Sequence, residues 1–113
     1  MRDLTLMEAF AAEHLIVRRK SICVVAREIA DCFPNLPALS ICFTLASVAS
    51  NLEVSLGVNG APGFPSPPDI YRVIAVLSAD IFSLELTHGH QITASFLAGH
   101  WDDIRDPKFR ATA

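Results

Sequence analysis

The side chains able to do chemistry are few, and their spacing decides little. His88 and His90 flank Gly89, Glu85 precedes them, and Asp102 and Asp103 follow His100. Imidazoles beside carboxylates are the residue types that bind zinc. A zinc site, however, needs three or four converging ligands held by an outer shell. The His-Gly-His spacing matches no specific metal motif, so exposed turn histidines are the default and His88 and His90 stay metal candidates by residue type alone. Glu53 and Glu85 form a second pair. Two carboxylates tune each other for acid–base work only when they are close and shielded from water. Cys32 and Cys42 lack a neighbouring histidine or a nucleophile elbow. Neither G-x-G-x-x-G nor G-K-[ST] occurs, so no nucleotide cofactor is implied. An enzyme or ligand binder built on Glu85, His88 and His90 therefore stands as the alternative reading, with no cofactor expected.

The bulk composition narrows the class of protein further. With 113 residues, 51% hydrophobic and 19% charged, the chain suits one domain and excludes intrinsic disorder. Mean hydropathy is +0.38, high for a small soluble protein. Net charge is −3, and the densest basic run is Arg18-Arg19-Lys20. Duplex-binding proteins carry broad basic faces, so nucleic acid is not the expected partner. No stretch reaches the roughly 18 uncharged apolar residues that span a bilayer. The longest candidate, Leu36 to Asn51, contains Pro37. No signal-peptide order opens the chain, and Cys23, Cys32 and Cys42 are an odd set of thiols. The reading is a cytoplasmic protein with reduced cysteines, no disulfide framework and no membrane span.

Patterning then supplies the elements that must position these residues. Thr5-Leu6-Met7-Glu8 reads as a capping box. Met7, Ala11, Leu15, Ile22, Val25, Ile29 and Phe33 follow close to helical spacing. Arg18 to Ser21 interrupts that stripe, either as a solvated turn of one helix or as a break between two. Pro34 and Pro37 end the region. Residues 39–45 and 52–58 alternate apolar with small polar, as half-buried strands do. Leu39, Cys42, Phe43, Ala46 and Ala49 also fit a helix, so residues 36–51 carry both readings. Residues 59–68 form a Gly/Pro-rich linker in which Phe64 is expected to tuck onto the core. Ser66-Pro67-Pro68-Asp69 starts a helix, with Ile70, Val73, Ile74, Leu77 and Ile81 on one side. Alternation returns at 82–87 and 91–96, predicting a hairpin with Gly89 at its tip. Trp101 anchors a short final segment, and a mobile tail is expected from about 106.

The expected fold is thus α+β, one domain over residues 1–113. An antiparallel four-stranded sheet carries helices on one face, in the order α-ββ-α-ββ plus a short C-terminal segment. An all-α bundle is the alternative if residues 36–51 are helical. No residue motif identifies a family; only the element order resembles secretion chaperones and small regulatory α/β modules. On the open face of the expected sheet lie Thr44, Glu53, Ser55, Glu85 and Thr93 among other small polar residues, with no Lys or Arg. Soluble sheets normally guard such surfaces with charge. These five are the candidate binding residues. The functional expectation is a small binding or regulatory protein acting through protein contacts, most simply as a homodimer.

Overall fold

Residues 39–56 bury Ile41, Leu45, Val48, Ala49 and Leu52 at helical rather than alternating spacing. The computed structural model describes residues 2–111, and among them it contains helices and no β-strand. In chain order these are α1 (Arg2–Ala12), α2 (Ile22–Cys32), α3 (Leu39–Leu56), α4 (Pro67–His88) and α5 (Ala94–Asp103). A π-helical turn, Glu13–Val17, prolongs α1. The fold is the all-helical alternative, and the α+β sheet is overturned.

The reason lies in how period two maps onto a helix. Residues two apart on a helix point to nearly opposite sides. Of Leu39, Ile41, Phe43 and Leu45, the second and fourth are buried while Leu39 and Phe43 stand exposed. The alternation marks a helix that is apolar on two sides. The same holds at 82–87: this stretch is the last part of α4, with Leu84 half-buried and Phe82 and Leu86 exposed. The predicted hairpin tip, Gly89, instead ends α4. Its φ of 74° and ψ of 16° are left-handed, and its N–H donates to Glu85 O at 2.8 Å. Glycine is the common residue at this helix-terminating position. A single antiparallel bridge, Pro37 to Thr93, is all that remains of the expected strand pairing.

Local signals are decided one by one. The first stripe, open between one helix and two, breaks into two. Ser21 caps α2, its Oγ accepting from Val24 N at 3.3 Å. Pro67 opens α4 behind Ser66, whose side chain makes no capping bond. The Thr5–Glu8 capping box does not form, because Thr5 lies inside α1. Phe64 is exposed rather than tucked onto the core. Trp101 is buried, as is Phe109 beyond it, in the segment expected as a tail. The last two residues of that expected tail lie outside the described residues.

One continuous core runs through the bundle, centred on Met7, Leu15, Ile29, Ile41, Leu45, Ile70, Leu77 and Leu97. α3 is its spine and packs against α1 on one side and α4 on the other. With 18 residues and a mean hydropathy of 1.4, α3 has the length and composition of a membrane-crossing helix, yet 39% of it is buried inside this fold. Glu53 is its one charged residue.

Candidate functional site

The sequence-expected site residues do not converge. Thr44 is fully buried in α3, its Oγ1 donating to Ser40 O one turn earlier at 2.8 Å. Ser55 is exposed near the C-terminal end of α3. Thr93 caps α5, its Oγ1 accepting from Phe96 N at 3.2 Å and lying 3.1 Å from Ser95 Oγ. Glu85 is engaged in structure: its Oε2 accepts from Ile92 N at 3.1 Å, fixing the connector between α4 and α5. Without a sheet there is no shared open face for these residues.

The histidines stay apart as well. His88 and His90 are exposed, with ring centroids 6.1 Å apart, and His88 meets Phe96 edge-on at 5.0 Å. His90 Nδ1 lies 2.9 Å from Gln91 O. Among the described residues no three His, Cys, Asp or Glu side chains are placed to hold a metal ion.

The arrangement that does form is apolar. α3 and α4 run antiparallel, since Cys42 meets Ser78 while Glu53 near the other end meets Tyr71. The Ser78 hydroxyl donates to Cys42 Sγ at 3.6 Å. Burial, joined by the charge and hydrogen bond of Glu53, raises the Tyr71 phenol above its ordinary value. Where this helix pair faces outward, a cavity of about 500 Å³ opens, lined by Leu4, Pro37, Leu39, Ser40, Cys42, Phe43, Ala46, Ile74 and Gln91. None of these side chains is charged. Burial pushes the Cys42 thiol up, against the smaller effect of Ser78, so it stays protonated at neutral pH and lines the cavity as a small hydrophobe.

Exposed apolar side chains lie on both helices, and two of them, Leu39 and Phe43, line this cavity. On α3, Leu39 and Phe43 are one turn apart, and Phe43 is 59% exposed. On α4, Ala75, Ala79, Phe82 and Leu86 follow at i, i+4, i+7 and i+11, all exposed, with Phe82 at 68% and Leu86 at 73%. Of the charges of α4, Arg72 shares this stripe one turn before Ala75 and Asp80 is half-buried beside Ala79. Arg72 pairs with Asp69 at 3.0 Å in the first turns, and Glu85 holds Ile92. Leu39, Phe43, Phe82 and Leu86 had been assigned to strand interiors. Their i, i+4 spacing was the signal that could have placed them on helix surfaces.

Fold and site together define the class: an all-helical bundle with an uncharged, mostly apolar cavity lined from α1, α3, α4 and the α4–α5 connector. No protein family, no curated protein and no solved structure matches the chain.

Proposed function

We propose that this chain is a small cytoplasmic binding or regulatory protein that acts through protein contacts as a homodimer, using the outer face of α3 and α4. One observation carries the reading: Phe43 stands mostly exposed in the wall of a cavity that has no charged side chain, and Phe82 and Leu86 stand mostly exposed one turn apart on the neighbouring helix α4. Scattered exposed hydrophobics are ordinary, whereas adjoining ones mark interaction surfaces. A second copy suits the chemistry of this face. The chain carries net charge −3, and a cavity wall without charged side chains is where two like-charged molecules meet with least repulsion. Two antiparallel helix pairs stacked by a two-fold axis make a four-helix arrangement, with each surface meeting itself. Three free cysteines suit a reducing compartment.

Sedimentation equilibrium tests this on the wild type and on a Phe82→Glu/Leu86→Glu variant. The expected result is a wild-type dimer and a variant that associates far more weakly, with an unchanged helical circular dichroism spectrum. A wild type that stays monomeric at high micromolar concentration overturns the dimer. A variant that dimerises as tightly as the wild type overturns the assignment of the face.

A further inference from the structure

Beyond α5, residues 104–111 turn back and cover the single tryptophan. The Phe109 ring stacks on Trp101 with centroids 4.4 Å apart and planes 14° from parallel. Phe109 is 1% exposed. Its carbonyl accepts from Arg27 Nη1 at 3.2 Å, and the same nitrogen donates to Asp102 Oδ1 at 2.7 Å. Arg27 Nη2 reaches Asp102 Oδ2 at 3.1 Å, and Nε reaches Asp31 Oδ1 at 3.0 Å. One buried cation on α2 therefore joins α5 to this C-terminal strap. Lys108 and Phe109 also form one wall of a small apolar cavity of about 120 Å³, whose other walls include Cys23 of α2 and Val73 and Val76 of α4.

The strap turns through a tight hinge. Arg105 N donates to Asp102 O at 3.2 Å and Asp106 N to Trp101 O at 3.0 Å. Between them Arg105 has φ 54°, in the left-handed region. A side chain there crowds its own backbone, and short strained hinges favour exchange of the segment they carry.

We propose that this strap is exchangeable, so that Phe109 leaves its seat on Trp101 and occupies the same seat in a second copy of this chain. The occupant follows from the seat itself: the Trp101 ring, the Arg27 donor and the Cys23–Val73–Val76 wall already accept this segment in its own chain. Exchange of an identical element is a low-cost route to a dimer. The energetics divide cleanly. The closed monomer and the exchanged dimer make the same seat contacts, so those contacts cancel in the equilibrium. The hinge differs between the two states, because in the open strap Arg105 is free to leave the left-handed region. Hinge strain thus sets how much dimer forms, and the Arg27 bond to the Phe109 carbonyl, with Arg27 held in place by Asp102, sets how fast straps exchange. This device does not depend on the α3–α4 face.

Cross-linking in a Cys32→Ser/Lys108→Cys background tests it, with a short bifunctional maleimide joining position 108 to Cys23. The Phe82→Glu/Leu86→Glu substitutions are added so that the face dimer does not contribute. After incubation at the highest attainable concentration, monomer and dimer fractions are separated and peptide-mapped. The expected result is cross-links within one chain in the monomer and between chains in the dimer. Arg105→Gly, which removes the strain while keeping the fold, lowers the dimer fraction by about tenfold or more, since two hinges are relieved per dimer. Asp102→Asn leaves the dimer fraction unchanged but speeds strap exchange between mass-labelled copies. Intrachain cross-links alone, or a dimer fraction indifferent to Arg105→Gly, overturn the proposal. A wild type that dimerises only by strap exchange, its dimer fraction indifferent to Phe82→Glu/Leu86→Glu, would sink the α3–α4 reading and leave this one standing.

Discussion

At the corner formed by α2, α5 and the strap, the large aromatic rings are covered. Trp101 and Phe109 stack on each other, each 1% exposed, and Arg27 ties the strap's backbone to α5. On the outer face of α3 and α4 similar residue types stand in the open, with Phe43 at 59% and Phe82 at 68%. Both surfaces are apolar helix faces, and they differ in whether the chain returns to cover them. At the corner, residues 104–111 do so, and the Phe109 carbonyl accepts from Arg27, while the covered Trp101 Nε1 has no hydrogen-bond partner. Over α3 and α4 no described segment does. Apolar content therefore contributes to stability at the first site and to association at the second.

Substitutions ordered by expected effect sharpen this contrast. Trp101→Ala removes the largest fully buried side chain, and urea denaturation should show a loss of about 3–5 kcal/mol. Arg27→Met keeps the apolar stem and deletes the guanidinium, leaving the Phe109 carbonyl without this donor. Its expected cost is about 1–3 kcal/mol, with the Trp101 emission moving to longer wavelength as the strap loosens. Thr93→Ala deletes the α5 cap and should cost about 1 kcal/mol. Phe82→Ser on the open face should change monomer stability by no more than about 0.5 kcal/mol while weakening self-association. A Phe82→Ser variant as unstable as Trp101→Ala would erase the distinction between the two regions.

The corner also has an acid signature. The Arg27 hydrogen bond holds the Asp102 carboxyl below its ordinary range, outweighing the opposing effect of desolvation. A carboxyl lowered by folding stabilises the native state above its unfolded value, and that contribution is lost as pH falls through the folded value. Denaturation midpoints followed from neutral into acid pH should therefore fall, and less steeply in Asp102→Asn. Equal slopes in the two proteins would show that this pair does not contribute to the acid dependence. Asp102 is largely exposed, so solvent screening keeps this contribution modest.

Much of the helical layout was legible wherever a chemical punctuation mark stood next to a periodic run. Ser21 before Ile22, Pro34 after Cys32 and Pro67 behind Ser66 mark real boundaries. Trp101 was recognisable as an anchor by its size alone. Residues 39–56 were ambiguous because Ser, Cys, Thr and Ala fit both strand and helix surfaces, and because this helix is apolar inside and out. At Gly89 the local conformational demand was read correctly and its context was not. A left-handed glycine serves a hairpin tip and a helix end equally well. The candidate site inherited that error. Thr44, Glu53, Ser55, Glu85 and Thr93 were grouped by strand parity, which does not exist on a helix, while Phe43 and Phe82 were assigned inward because alternation sends every second residue to the core.

The sequence by itself determined an apolar, acidic composition, a helix opening at Pro67, an odd set of three cysteines and no recognisable catalytic motif. These properties depend on composition and on neighbours within a few residues. Only the tertiary structure decided that residues 39–56 form one helix, that Arg27 meets Asp102 and Phe109 from 75 and 82 residues away, and which apolar side chains remain uncovered. The physical reason is that burial is a property of pairs of surfaces. A phenylalanine carries the same free energy of transfer at position 43 as at position 109, and whether the chain realises it depends on what folds back to meet it.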